Sequence, residues 1–464
     1  MAEASAIDLT HPRSLHVVGV GGTGMNAVAS VLGGMGHHVT GSDIKSSAAV
    51  ERVRAQGVRV FLGHDPSNVG DVDAVVISTA VPERNVEVQE ARRRGIPVLH
   101  RSEALGAIAH IRDTVAVAGT HGKTTTSSML ALVLREAGLQ PSFVIGGDVN
   151  EIGTGAGWGD GDLFVVEADE SDGSFLRLNT GAVVVTNVEP DHLEHYGGWP
   201  GLQAAFEEFV REAPGPRVVC VDDEHAAELA TIFGGITYGT SDVADYRIVD
   251  VVGERASSRF TVVHEGRELA RVTLPLAGIH NARNATAALV AGVLMGAPVE
   301  AAVTALGRFA GVARRFEFRG RAAGVTFIDD YAHLPTEVEA ALAAANEGGW
   351  RRVVCAFQPH RYSRTATLWP DFADAFGGAS LLALTDVYAA GEAPRPGVSG
   401  ELLVHAVLDA HPWKRVAYLP RRTDLAGYLA AELRPGDLCL TLGAGDITLL
   451  PDEVQARLNG RAAP

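Results

Sequence analysis

The sequence predicts an α/β protein of three domains, and three observations carry that reading. Short β-branched runs alternate with helical patterns along most of the 464 residues, the order that builds mostly parallel sheets covered on both faces. The alternation restarts at Thr114-Val-Ala-Val-Ala118 and again over residues 319–330. In the first two series the opening strand runs into a glycine-rich turn that starts a helix. The boundaries fall near residues 112 and 309, giving segments 1–112, 113–309 and 310–464. At roughly 100–200 residues per domain, the length accommodates all three.

The first series opens on the strand Leu15-His-Val-Val-Gly-Val20, with a helix from the turn through about residue 32. His38-Val-Thr40 is the next strand and residues 48–56 the next helix. Ala74-Val-Val-Ile-Ser78 and Ile96-Pro-Val-Leu99 follow, separated by a charged helix over 83–94, and a helix from about Ser102 closes the series. In the second, the strand ending at Ala118 feeds a helix to about Glu136. Leu163-Phe-Val-Val166 and Ala182-Val-Val-Val-Thr186 are near-continuous apolar runs, as strands buried on both faces require. Between 246 and 276 the pattern alternates with no helix between segments, which predicts antiparallel strands; helices follow over 280–294 and 298–307. The third series places strands within 319–330, 352–357, 380–385 and 438–442.

Composition excludes several classes of function. Thirty-nine basic against 56 acidic side chains leave a formal net charge of −17, the wrong sign for generic nucleic-acid or membrane-surface binding. No run of 18 apolar residues suggests a membrane span. The first residues show no secretory pattern, so a cytoplasmic location is expected. Cys220, Cys355 and Cys439 are far apart with no CxxC, which argues against a zinc ribbon or disulfide framework. Only three of the basic residues are lysines: Lys45, Lys123 and Lys414. An arginine-biased composition explains this, and it singles out each lysine that is kept.

The first turn, Gly19-Val-Gly21-Gly22-Thr23-Gly24, fits G-x-G-x-x-G, and Asp43 ends the next strand at the spacing of a ribose-binding acid. Glycine admits close approach, and the helix N-terminus offers amides to a pyrophosphate. The motif selects a pyrophosphate without saying what carries it. NAD, another diphosphate and a purely structural turn all fit.

The second turn is sharper. Gly119-Thr120-His121-Gly122-Lys123-Thr124-Thr125 follows a strand and opens a helix. Backbone amides can wrap a polyphosphate, Lys123 can reach its terminal oxygens, and Thr124 can coordinate Mg²⁺. Val117 stands where the full consensus has its first glycine, so this is a shortened variant for ATP or GTP. Glu167-Ala-Asp169-Glu170-Ser-Asp172 ends a buried strand, where carboxylates can hold Mg²⁺ beside a phosphate loop. Asp191-His192-Leu-Glu-His195 follows another. A zinc site from His192 and His195 rests on H-x-x-H alone; a magnesium-side or substrate-side role for His192 suits the neighbourhood better.

Taken together, these stretches resemble the Mur ligase family, ATP-dependent amide-bond-forming enzymes of peptidoglycan precursor synthesis. The likeness runs from His16-Val-Val-Gly-Val-Gly-Gly-Thr-Gly-Met to Thr441-Leu-Gly-Ala-Gly-Asp446. It includes Asp329-Asp-Tyr-Ala-His333, Phe357-Gln-Pro-His-Arg-Tyr-Ser-Arg-Thr365 and Tyr388-Ala-Ala-Gly-Glu392. The resemblance implies a Rossmann-like N-terminal domain holding a UDP-sugar through Gly21, Gly22, Thr23, Gly24 and Asp43. It implies a central P-loop ATPase-like domain with some antiparallel strands and a Rossmann-like C-terminal domain that contacts the amino acid and ATP. Thr124, Glu167 and His192 would lie at Mg²⁺, Asn281 and Asn284 at adenine, and Arg315 and Asp330 at ATP. His360, Arg361 and Arg364 would face the incoming amino acid and the sugar's carboxylate, a task suited to arginine forks. Lys123, His192 and His333 would serve the chemistry, the two histidines as candidate bases. The implied partners are UDP-N-acetylmuramate and L-alanine, with ATP and Mg²⁺, in a monomer or homodimer that closes on nucleotide.

Two departures qualify the resemblance. Leu334 stands where the family usually has a second histidine, so that residue's role has no bearer here. Residues 201–216 contain no lysine, so the carbamylated lysine of several sister ligases is absent, as in the alanine-adding branch. Three rival readings remain: a sister enzyme that recycles a ready-made murein tripeptide, an NAD-dependent dehydrogenase built on the first turn, and a non-catalytic nucleotide-regulated binding protein.

Overall fold

A computed structural model describes residues 7–253 and 257–462. Three sheets carry the fold, as the alternation predicts. The first is wholly parallel, in the order Arg59–Leu62, His38–Asp43, Ser14–Val18, Ala74–Ile77, Val98–His100. The order reverses beside Ser14–Val18, and doubly wound sheets bind ligands at such a switch point. That strand ends at Val18 because Gly19 takes φ 74°, a left-handed value open to glycine. The helix expected from residue 83 begins at Val86, where the Asn85 side chain accepts from the amides of Glu87 and Val88. The four-residue strand Arg59–Leu62 carried too little pattern to be read from sequence.

In the second sheet the central order is Thr154–Gly157, Ser142–Val149, Leu163–Glu167, Asp113–Ala118, Ala182–Val185, Arg217–Cys220, Ile236–Gly239. Its Ser142–Val149 and Thr154–Gly157 pair is antiparallel. The expected antiparallel region includes strands Ser258–His264 and Arg267–Leu274, joined by Glu265 and Gly266 at φ 50° and 72°. A two-residue turn with both angles positive closes a hairpin. One apolar core runs through the helices of both sheets, from Leu15 and Leu32 to Phe164 and Phe206. Each fully buried side chain of this size contributes about 2–3 kcal/mol.

The third sheet has the order Glu317–Ala322, Val325–Asp330, Asp437–Leu442, Arg352–Phe357, Leu381–Leu384, Val416–Tyr418, parallel except for its first pair. The chain gathers into two compact units. One holds the first two sheets up to Val249, with Thr261–Val272 and Arg283–Phe309; the other holds Asp250–Phe260, Thr273–Ala282 and the chain from Ala310. Among the described residues, no helix is long and apolar enough to cross a membrane.

Three side-chain polar arrangements hold these sheets. Lys414 donates from Nζ to the carbonyls of Phe376, Gly377 and Ala379 at 2.6, 3.1 and 2.5 Å, closing the chain after helix Phe372–Ala375. Asp329, fully buried, accepts from Thr441 and Thr448 at 2.5 and 2.7 Å, with Arg314 at 3.6 Å and Arg319 at 3.9 Å. Against the first sheet, in the opening turn of the helix that begins at Val86, Glu87, also fully buried, accepts from Ser42 at 2.6 Å and Asn68 at 2.7 Å, with His64 Nδ1 at 2.9 Å and His16 Nε2 at 3.7 Å.

Burial pushes Glu87 up, but its neighbours His16, Ser42 and Asn68 prevail and hold it at about 2 against an ordinary 4.5. A depressed carboxyl contributes stability above its unfolded value and loses it as pH falls through the folded one. Unfolding free energy from urea titrations should therefore drop by about 3 kcal/mol between the two values. That acid slope should be absent in Glu87→Gln; an equal slope in the variant would contradict this account.

Candidate active site

The phosphate loop sits where three parallel strands end side by side. Asp113–Ala118 lies between Ala182–Val185 and Leu163–Glu167, so residues leaving all three strands converge at their carboxyl ends. Gly119 takes φ 134°, and a Cβ there would lie 2.9 Å from Asn187 O; Gly122 takes φ 81°, and a Cβ would lie 2.5 Å from Asn284 Oδ1. Only glycine fits either place. On one side the loop is fixed by Asn187, whose Oδ1 accepts from His121 N at 2.8 Å, and by Thr120 Oγ1, which accepts from Glu189 N at 2.8 Å. The His121 ring stands 3.2 Å from Glu189 Oε2.

On the other side stand the carboxylates. Thr124 Oγ1 donates to Glu167 Oε1 at 3.1 Å, and Glu167 Oε2 accepts from Gly146 N at 2.7 Å. Lys123 Nζ donates to Glu170 Oε2 and Oε1 at 2.7 and 3.0 Å, and to the carbonyls of Gly119 and Thr120 at 2.6 and 3.1 Å. Burial works against the ammonium, but Glu170, Asp169 and Glu167 outweigh it and raise its pKa. Burial together with Asp169 pushes Glu170 up, against the pull of Lys123. One cation thus faces three carboxylates. His192 lies on the loop after Ala182–Val185 at φ 52°, its Nε2 3.3 Å from Asp191 Oδ2.

In the first turn the acid of the motif lies against the glycines. Asp43 Oδ2 accepts from Gly21 N at 2.9 Å, and Oδ1 accepts from Lys45 N at 3.1 Å, so this carboxylate shapes the turn. The opening beside it is a cavity of about 270 Å³ lined by Gly22, Thr23, Gly24 and Met25 together with Ser78, Thr79, His100, Arg101 and Asp172. The helix Thr23–Gly34 starts here with no acidic residue in its first turn, leaving its amides and positive end toward the cavity. Ser78, Thr79, His100 and Arg101 escaped the sequence reading because they come from two segments far from the turn, and Asp172 was read there only within the acidic stretch beside the phosphate loop. The one available signal was the recurrence of polar residues just after buried strands.

Apart from Asn284, the remaining predicted residues belong to the second compact unit, where strands of the third sheet again end together. Asp330 Oδ1 accepts from Ala332 N and Oδ2 from Phe316 N, both at 2.7 Å. Burial pushes Asp330 up to about 6 against the pull of Arg315, whose guanidinium lies 5.2 Å over the Tyr331 ring. His333 stands 5.7 Å from the His360 ring, which stacks on Tyr388 at 5.8 Å. Burial, then the neighbouring His333, Arg364 and Arg361, lowers His360 to about 3, so it is neutral at pH 7. Arg361 sits at φ 67° with its amide on Tyr388 O at 2.8 Å, and Arg364 reaches His360 Nδ1 at 3.2 Å. Asn281 Nδ2 donates to Ala277 O at 2.8 Å, while Asn284 is the asparagine brought to Gly122. Leu334, in the place of the family's second histidine, is a buried core residue. Among the described residues, no three His, Cys, Asp or Glu side chains form a ready metal cage. A cation that keeps water and phosphate oxygens in its shell needs none.

Comparison with known proteins agrees with this geometry. Residues 14–112 match the Mur ligase family catalytic domain, 117–292 the Mur ligase middle domain, and 314–445 the Mur ligase glutamate ligase domain. The UDP-N-acetylmuramate–L-alanine ligase of Myxococcus xanthus is 45% identical over 96% of this chain and 95% of its own. That of Saccharopolyspora erythraea is 46% identical over 98% and 96%. The crystal structure of a UDP-N-acetylmuramate–alanine ligase from Thermotoga maritima superposes with a TM-score of 0.82 at 28% identity, covering 97% of this chain and 100% of the other. With three family domains matched in order along most of its length, the chain belongs to the Mur ligase family.

Proposed function

We propose that the protein uses ATP to join L-alanine to the lactyl carboxylate of UDP-N-acetylmuramate, releasing ADP and phosphate, in peptidoglycan precursor synthesis in the cytoplasm. The observation that carries this reading is Lys123 among Glu167, Asp169 and Glu170, in the same compact unit as a cavity fit for a diphosphate. Relatives bearing that activity match nearly the whole chain. The dehydrogenase alternative has no support beyond the first turn. A murein peptide ligase from Psychrobacter arcticus shares the fold at 23% identity, which does not favour the recycling reading.

The chemistry follows from charge. The carboxylate attacks the terminal phosphorus of ATP, giving an acyl phosphate and ADP; the amine of alanine then attacks the acyl carbon and phosphate departs. Two anions must meet in the first step, so neutralisation dominates the barrier. Lys123 and the amides of Gly119–Thr125 supply it on the protein side. Thr124 and Glu167 would hold Mg²⁺, which contributes further positive charge at the phosphates. Asn284, which lies beside Gly122, would contact the adenine together with Asn281. Gly22–Gly24 and Arg101 hold the diphosphate of the sugar nucleotide. In the other compact unit, Arg361 and Arg364 supply guanidinium forks for carboxylates. His333 and His192 are the two candidate bases for the alanine ammonium, and His360, stacked on Tyr388, serves the incoming amino acid with Arg361 and Arg364.

The test is a coupled assay for ADP and phosphate. Both products should form only when UDP-N-acetylmuramate, L-alanine and ATP are present together. Equal turnover with the murein tripeptide in place of alanine would transfer the chain to the recycling reading.

A further inference from the structure

Strand Leu163–Glu167 ends at the carboxylate facing Thr124, and the chain then turns so that Glu170, only 2% exposed, comes back against the loop. Its main chain is fixed there: Tyr196 Oη and Gly173 N both donate to Glu170 O, and Ser171 N donates to Asp169 Oδ1 at 3.0 Å. Both oxygens of the Glu170 carboxylate lie within 3.0 Å of Lys123 Nζ, and the carbonyls of Gly119 and Thr120 take the rest of its donors. An ammonium has three donors. All are spent on the protein's own oxygens, so an incoming phosphate must take the place of one of them.

We propose that Glu170 is a built-in counter-anion that holds Lys123 in the phosphate's place, so that a nucleotide binds only by displacing its carboxylate. Glu170 is then a positioning residue that sets nucleotide affinity. The carbonyls of Gly119 and Thr120 orient the ammonium in either state, while Glu170 and the phosphate are alternatives. The arrangement keeps a buried cation neutralised between turnovers and lets ADP leave as the carboxylate returns. The inference rests on the loop being the ATP site.

Calorimetry on the full chain, with a non-hydrolysable ATP analogue or with ADP, tests it. Glu170→Gln keeps the shape and removes the charge, so both nucleotides should bind about tenfold tighter than to the wild type. Glu170→Asp keeps a charge one methylene short of the lysine and should fall between. In a Lys123→Met background the Glu170→Gln change should have no effect, an outcome a general structural role would not produce. Should Glu170→Gln not fold, Glu170→Asp in both backgrounds carries the same comparison. Unchanged or weaker binding in the folded variants, or a gain that persists without Lys123, would overturn the proposal. A wild type that binds neither nucleotide would overturn the ATP-site reading along with it.

Discussion

Lys123→Ala is expected to lower the ligation rate at saturating substrates by about three orders of magnitude, or roughly 4 kcal/mol of barrier, while leaving the fold intact. The expected size follows from what would remain. Glu167, Asp169 and Glu170 surround the ammonium, and without it they would face ATP and a second anion with no side-chain cation between them. The fold should survive because burial already pushes Glu170 up, so that carboxyl takes a proton in place of its lost partner. Lys123→Arg should rescue little. The pocket formed by Gly119 O, Thr120 O and Glu170 fits a compact tetrahedral donor, whereas guanidinium is planar and broader. Rates of ADP formation with paired melting curves check both variants. A folded Lys123→Ala protein retaining a tenth of the rate would refute the assignment.

Asp329→Ala should cost about 3–4 kcal/mol of stability, read from urea unfolding. Its carboxylate is buried against Thr441, Thr448, Arg314 and Arg319, and removing it takes an acceptor from two hydroxyls and the counter-charge from Arg314, while Arg319 keeps Asp452. Asp330→Asn, one residue along, should cost less, about 1–2 kcal/mol: the amide keeps one acceptor oxygen but sets its NH2 against one of the two backbone amides, Ala332 N or Phe316 N, that the carboxylate accepts. Equal losses at the two positions would show that the pair acts as one structural unit. The contrast separates an aspartate that holds the third sheet from one available for nucleotide.

Features encoded in a few consecutive residues were legible before the structure. Gly119–Thr125 reads as a phosphate loop because a strand, two obligatory glycines and a lysine lie within eleven residues of Val115, and the structure puts each where the motif predicts. Glu167 was legible for the same reason, as the last residue of a buried strand. Asp43 shows the limit: its spacing matches a ribose-binding acid, and the structure adds a contact with Gly21 N that the spacing does not announce. Sequence spacing does not distinguish a carboxylate that touches a ligand from one that shapes the turn beside it. Arg101 and Asp172 meet Gly22–Gly24 only through tertiary packing, and no local pattern marks such a meeting. Glu170 stood inside a quoted motif, but its pairing with Lys123 crosses 47 residues of chain. The short strands Arg59–Leu62 and Ile236–Gly239 take their identity from neighbours in the sheet.

The three lysines now divide by accessibility. Lys123 is closed in by Glu170 and its own loop, and Lys414 is held by three carbonyls in a geometry that a planar guanidinium could not copy. Lys45 is exposed. An acylating reagent therefore meets a chain of 464 residues as a molecule with one open lysine side chain, on the strand exit two residues after Asp43, the first glycine turn's carboxylate partner. A fluorophore placed there by ordinary amine chemistry would sit beside the sugar-nucleotide domain's turn without an engineered attachment point.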